Sequence, residues 1–247
     1  MKKLITFGLL LCLSMSMIAC GKEDEPLTQS KGVPYEDLSK EMQEQLDKTM
    51  EEYITYNFDN LILEVDGKTY DLLTIEDNTK IKGLKKFGEN NTLEYSTSTA
   101  IYQGYMINDE ISLSVGDYLI FNKDDFRIFG QVGFNIHPIY TEKHLDLYDD
   151  WHFSLMGIDE KTTLNEIHEL LGKPFNITHS EDENAIFNTS TYRYKVSFQG
   201  VPFYIDLEWN DSYDKLTSFS IRLCDLCIND EATLREWYQP ITRKDEK

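Results

Sequence analysis

The strongest constraint in this sequence is a strict two-residue rhythm between positions 191 and 223. Tyr192, Tyr194, Val196 and Phe198 alternate with Thr191, Arg193, Lys195 and Ser197. After Gln199-Gly200, Phe203, Ile205, Leu207 and Trp209 alternate with Tyr204, Asp206 and Glu208. After a second turn over 210–215, Thr217, Phe219, Ile221 and Leu223 share one parity. Side chains on a strand point to opposite faces in turn, so the rhythm dictates strands with one buried and one wet face. The short links make them an antiparallel three-strand meander.

A helix precedes the meander. Leu164, Ile167, Leu170 and Leu171 form an apolar stripe, and Thr163 with Glu166 matches a capping box. Gly172 ends the helix and Pro174 prevents its resumption.

The first half carries the same ingredients in looser order. Leu38, Met42, Leu46, Met50 and Tyr53 predict an amphipathic helix over 35–53. Leu61, Leu63 and Val65 lead into Asp66-Gly67, a type I′ hairpin pair, with the return strand over 69–72. A helix is predicted over 77–87, ending at Gly88. Strands follow over 100–107, 111–115, 118–121 and 126–136, where Gly130 and Gly133 suggest a bulge or sharp twist. Residues 138–154 hold neither period and are read as a boundary. The expected fold class is α+β: two small antiparallel sheets, each with helices packed on one face. Residues 34–140 form the first module and 155–239 the second, which closes with a short helix over 231–238.

The amino terminus gives an address. Lys2 and Lys3, an apolar run from Ile5 to Met15, and Met17-Ile18-Ala19-Cys20 resemble the export signal and lipobox of bacterial lipoproteins. That resemblance implies a signal peptide over 1–19 and an acylated Cys20 that anchors the mature chain. Residues 20–33 read as a tether reaching about 20 Å. The protein is expected at the cell membrane, lipid-anchored and facing outside the cytoplasm, at the cell surface or in a periplasm. Cleavage removes two of the 24 basic residues and leaves all 44 acidic ones. Such a surface opposes nucleic acid, whose phosphates require lysine and arginine. It suits a basic protein or peptide partner.

Gly157-Ile158, Thr163, Ile167, Leu171-Gly172 and Pro174, followed by the aromatic meander, resemble small bacterial lipoprotein domains. These include the SmpA/OmlA outer-membrane assembly lipoproteins and the β-lactamase-inhibitor-protein-like modules. The resemblance covers about 155–223 and implies a non-enzymatic binding module for protein or peptide partners. It brings no catalytic residues and no cofactor. The residues themselves leave two alternatives. Cys224-x-x-Cys227 reads as a disulfide or a thiol-redox pair. A metal or small-ligand site is the other, although the five scattered histidines give no ligand set. Tyr102, Phe129 and Tyr204 fall on the expected wet parity and are the candidate binding face.

Overall fold

The computed structural model describes residues 26–47, 54–74, 81, 84–94, 98–106, 111–120, 126–136, 152–180 and 188–224. In chain order these form β1 (Val33–Pro34), α1 (Lys40–Asp47), β2 (Tyr56–Phe58), β3 (Ile62–Val65) and β4 (Lys68–Asp71). Then come β5 (Lys85–Glu94), β6 (Ser98–Met106), β7 (Ile111–Ile120), β8 (Phe126–Ile136) and β9 (Phe153–Leu155). α2 (Leu164–Leu171), β10 (Asn176–His179), β11 (Thr189–Phe198), β12 (Val201–Asn210) and β13 (Lys215–Leu223) complete the order.

Ten strands make one sheet in the order β1-β2-β11-β12-β13-β8-β7-β6-β5, with β10 beside β11. Three make a second sheet, β4-β3-β9. The predicted meander is β11–β13, and the predicted hairpin is β3–β4 with positive φ at both Asp66 and Gly67. The α+β expectation of two small sheets with helices on one face is overturned. The described chain is mostly strand, with two α-helices of eight residues each. The strands on either side of the expected boundary share one ladder, where Ser218 faces Asn135, Phe219 faces Phe134 and Arg222 faces Gln131. The helices lie on opposite faces. α2 meets Tyr192 and Tyr194, whereas α1 packs through Met42 and Leu46 toward Tyr204, which projects to the other side.

Two further readings are corrected. Residues 85–87, read as the end of a helix, belong to β5. Gly88 does take a positive φ of 70°, but it does so at a bulge where β5 slips register against β6. In β8, Gly116 faces Gln131 and the next residue, Asp117, faces Phe129, so Gly130 is an extra residue. A bulge inverts parity beyond it, and Phe129 and Val132 therefore both point inward and are buried.

One core joins both sheets and α2. Phe153 of the small sheet meets Phe134 of the large one edge-on, 5.0 Å between ring centroids. Phe134 stacks on Phe219 at 5.8 Å, and Phe129, Phe203 and Phe198 continue the aromatic layer. Each such ring pair adds about 0.5–1.5 kcal/mol beyond its buried area. Ile167 and Leu171 bring α2 into this core, and its amino end carries the complete Thr163–Glu166 capping box.

The segment read as the far half of the tether is part of the body. The Ser30 N–H donates to Asn60 Oδ1 at 2.8 Å, and Asn60 Nδ2 donates to the Thr28 carbonyl at 3.1 Å. The Ile62 N–H donates to Gln29 Oε1 at 2.8 Å, and the Leu27 N–H to Thr69 Oγ1 at 3.1 Å. Val33 and Pro34 then pair with β2. Gly32 allows this approach, because a Cβ there would lie 2.7 Å from Tyr56 Cβ.

These contacts give two expectations. Asn60→Ala removes the side-chain amide that holds the strap and costs roughly 1–2 kcal/mol. Hydrogen exchange at the Ser30 amide accelerates selectively, and unchanged protection there would show that the strap is held elsewhere. The second concerns His168, half-buried with Nδ1 2.8 Å from the Tyr194 hydroxyl. Burial lowers its pKa below the ordinary 6.5. The unfolded state therefore holds the extra proton between the two values, so this stability is complete above about pH 6.5 and is lost as pH falls through the folded value. Thermal unfolding from pH 7.5 to 5 declines less steeply for His168→Gln than for the parent chain. Glu166, whose pKa the Thr163 backbone and hydroxyl bonds pull below 4.5, acts at lower pH and does not confuse the comparison.

Candidate functional site

The face of the large sheet turned away from the core carries a trough of about 520 Å³. Its centre is a cross-strand row fixed by register. Ser220 of β13 faces Gly133 of β8, which faces Ser114 of β7, which faces Gly104 of β6, which faces Phe87 of β5. Serine and glycine raise almost nothing above the backbone, so the row is a channel floor. Phe87 closes one end and is 67% exposed. The row spans four strand spacings, about 19 Å at ~4.8 Å each.

Two flanking rows are taller. On one side Ser218, Asn135, Ser112 and Met106 follow one another across the same strands. On the other, Tyr204 of β12 is followed by Arg222, Gln131 and Gly116. Gly116 is small for a reason: a Cβ there would fall 2.3 Å from Cδ1 of Tyr102, its partner on β6. Tyr102 and Tyr204, singled out from sequence, thus both belong to this outer face, half-buried beside the trough. Phe129 does not, because the Gly130 bulge turns it into the core against Phe203, 5.6 Å away.

Cations gather at the Tyr204 end. Arg193 Nε lies 2.6 Å from Asp206 Oδ1, and Arg222 reaches the other oxygen of the same carboxylate at 3.6 Å. The Arg193 pKa is raised by its hydrogen bond to Asp206. The Arg222 guanidinium lies 5.6 Å from the Tyr204 ring centre, and Lys195 Nζ sits 4.5 Å above Phe175. Two guanidiniums therefore converge on one carboxylate at this end of the channel.

Sequence reasoning missed the floor. Its signal was present: the wet parity of β7 and β13 holds Ser112, Ser114, Ser218 and Ser220 in a chain that is 28% charged. Solvent-facing strand positions in such a chain ordinarily carry long charged side chains, and small ones leave room for something to lie on them.

A second polar constellation looks catalytic and is wired differently. His179 Nδ1 lies 2.7 Å from Ser190 Oγ, and Ser190 Oγ donates to Asp211 Oδ2 at 2.6 Å. In a nucleophilic triad the histidine stands between serine and carboxylate and takes the serine proton. Here serine stands in the middle, its proton is committed to aspartate, and it is fully buried. The chain pins β10 and the β12–β13 turn to β11. Cys224 is likewise buried at the end of β13, its backbone N–H on the Pro202 carbonyl at 3.3 Å. An attacking thiolate needs access to its substrate, which burial denies. Cys227 and Cys20, the expected lipid site, lie outside the described residues, as do His137 and His144. Among the described residues no three of His, Cys, Asp or Glu group as a metal site.

The Ser190 arrangement has a direct check. A fluorophosphonate that labels activated serines leaves Ser190 unmodified, while Ser190→Ala lowers stability by about 1–3 kcal/mol through the stranded Asp211 and His179. Stoichiometric labelling at Ser190 would overturn the structural role.

No protein-family model matches the chain, and no curated protein or solved structure matches it either.

Proposed function

We propose that this chain is a membrane-anchored extracytoplasmic lipoprotein that binds a protein or peptide partner and performs no chemistry of its own. The single observation carrying the binding reading is the trough: a ready-formed channel floored by serine and glycine, edged by Met106, Asn135, Gln131 and Arg222, and closed by an exposed phenylalanine. Its volume falls within the range of about 300–1,000 Å³ usual for ligand sites. An apolar body with a few placed polar groups is the usual chemistry of such a site.

The strap sets how far an anchor at Cys20 would stand from the body. Six residues lie between Cys20 and Leu27, the first of the described residues bonded to the body, so seven residue steps join them. Fully extended they reach at most about 25 Å. An acylated Cys20 would therefore keep the β3–β4 hairpin, where Leu27 meets Thr69, within about that distance of the headgroups.

The test is capture in intact cells. Ser114 is exposed at the centre of the floor, so Ser114→Trp fills the channel with little effect on the core. Crosslinking the parent chain recovers a partner, and Ser114→Trp loses it by at least roughly tenfold while its thermal unfolding stays within a few degrees. Equal recovery from both would remove the trough from the function.

A further inference from the structure

We infer that the trough takes an extended peptide segment of neutral-to-acidic character, with an apolar side chain at its Phe87 end and a carboxylate at its Arg222 end. The inference rests on the binding reading and narrows it. It runs against what the net charge of the whole chain suggests.

The chain carries a formal charge of −20, which on average favours basic partners. The site is local and has a different balance. Among the described residues its lining includes no aspartate, glutamate or lysine, and Arg222 is the only formally charged one. Beside Arg222 stand Arg193 and the Asp206 that both arginines engage. At the other end, Lys85 faces Met106 two residues along β5 from the floor-row Phe87. A lysine or arginine brought into this channel would lose water and find guanidinium at one end and ammonium at the other. A carboxylate at the same place meets the Arg222 guanidinium, a charge-assisted donor shared with Asp206.

The floor argues for peptide over a plain hydrocarbon. Ser112, Ser114, Ser218 and Ser220 offer hydroxyls, and Gln131 and Asn135 offer amides, at intervals across the sheet. A peptide backbone brings an N–H and a C=O at every residue, and each needs a partner once water is displaced. A hydroxyl can donate or accept, so the serines suit either group. An acyl chain would strip the same hydroxyls of water and return nothing. The small floor also lets a backbone descend close to the sheet, and about 19 Å accommodates roughly six extended residues at ~3.3 Å each.

The test pans the full-length chain, held in detergent, against a displayed library of random hexapeptides with free carboxyl ends. Acidic residues, or the carboxyl terminus itself, enrich at one end by roughly tenfold, the factor expected of one charge-assisted hydrogen bond, with an apolar residue at the other end. Lysine and arginine are depleted. Ser114→Trp abolishes the enrichment. Arg222→Glu reverses the charge preference, and Arg222→Gln, which keeps the length of the side chain, erases it and guards against misfolding of the reversal. Enrichment of basic peptides, a preference that neither Arg222 variant moves, or no enrichment at all overturns the inference. If cells still yield a partner that Ser114→Trp loses while the library yields nothing, the binding reading stands and the occupant is not an extended peptide. If peptides enrich as expected and cells yield no partner, the chemistry of the channel stands and the wider functional reading falls.

Discussion

The ladder between β13 and β8 is the contact on which the molecule turns. Five residues of each strand face one another, from Ser218 and Asn135 to Arg222 and Gln131. They are more than eighty positions apart in the chain, so pairing them closes a long loop and carries its entropic cost. What offsets that cost is on the inner face of the same ladder, where Phe219 and Ile221 lie against Phe134 and Val132. The outer face of the same strands then falls into place. Each inward phenylalanine or isoleucine puts a serine, glycine or glutamine on the other side, and the channel floor crosses strands from both halves of the chain. Core and candidate site are two sides of one registration.

The sequence announced some of this with little ambiguity. β11 to β13 show because their inner face is aromatic or aliphatic at every other position, and the β3–β4 hairpin shows because Asp66-Gly67 admits few other conformations. The Thr163–Glu166 box and Gly172 bracket α2 for reasons internal to a few residues. Long-range pairing has no such local cause. The joining of β8 to β13 depends on how two periodic faces meet in space, and each face read alone is compatible with its own small sheet. A glycine signals freedom without saying how it is used: Gly88 and Gly130 were both legible as irregularities, yet one sits at a strand bulge in place of a helix end, and the other exchanges the faces of its strand. That exchange decided the fate of Phe129.

The candidate site was legible only in part, for the same reason. Tyr102 and Tyr204 could be found because aromatic residues on a wet parity are conspicuous. The floor beside them is made of residues that attract no notice singly, and the trough draws on positions 87 to 222. Charge is the other lesson. Net charge is a property of the whole surface, whereas recognition depends on the few groups within a screening length of the ligand, about 8–10 Å at ordinary salt. Arg193 and Arg222 are neighbours only because β11, β12 and β13 lie side by side, and an acidic chain can hold a basic corner without any trace of it in the composition.

The strap carries a practical consequence for anyone preparing the protein. Treating everything before the first predicted helix as a dispensable tether would mean starting a recombinant chain near Tyr35. That cut discards β1, strips the outer edge of β2, and unroofs Tyr56 and Phe58, against which Gly32 is pressed. It also leaves the Ile62 amide and the Asn60 carbonyl without the Gln29 side chain that serves both. A recombinant version that begins at Pro26 retains all of this, so eight or nine extra residues decide whether the purified material is the native molecule or a frayed relative with a sticky seam.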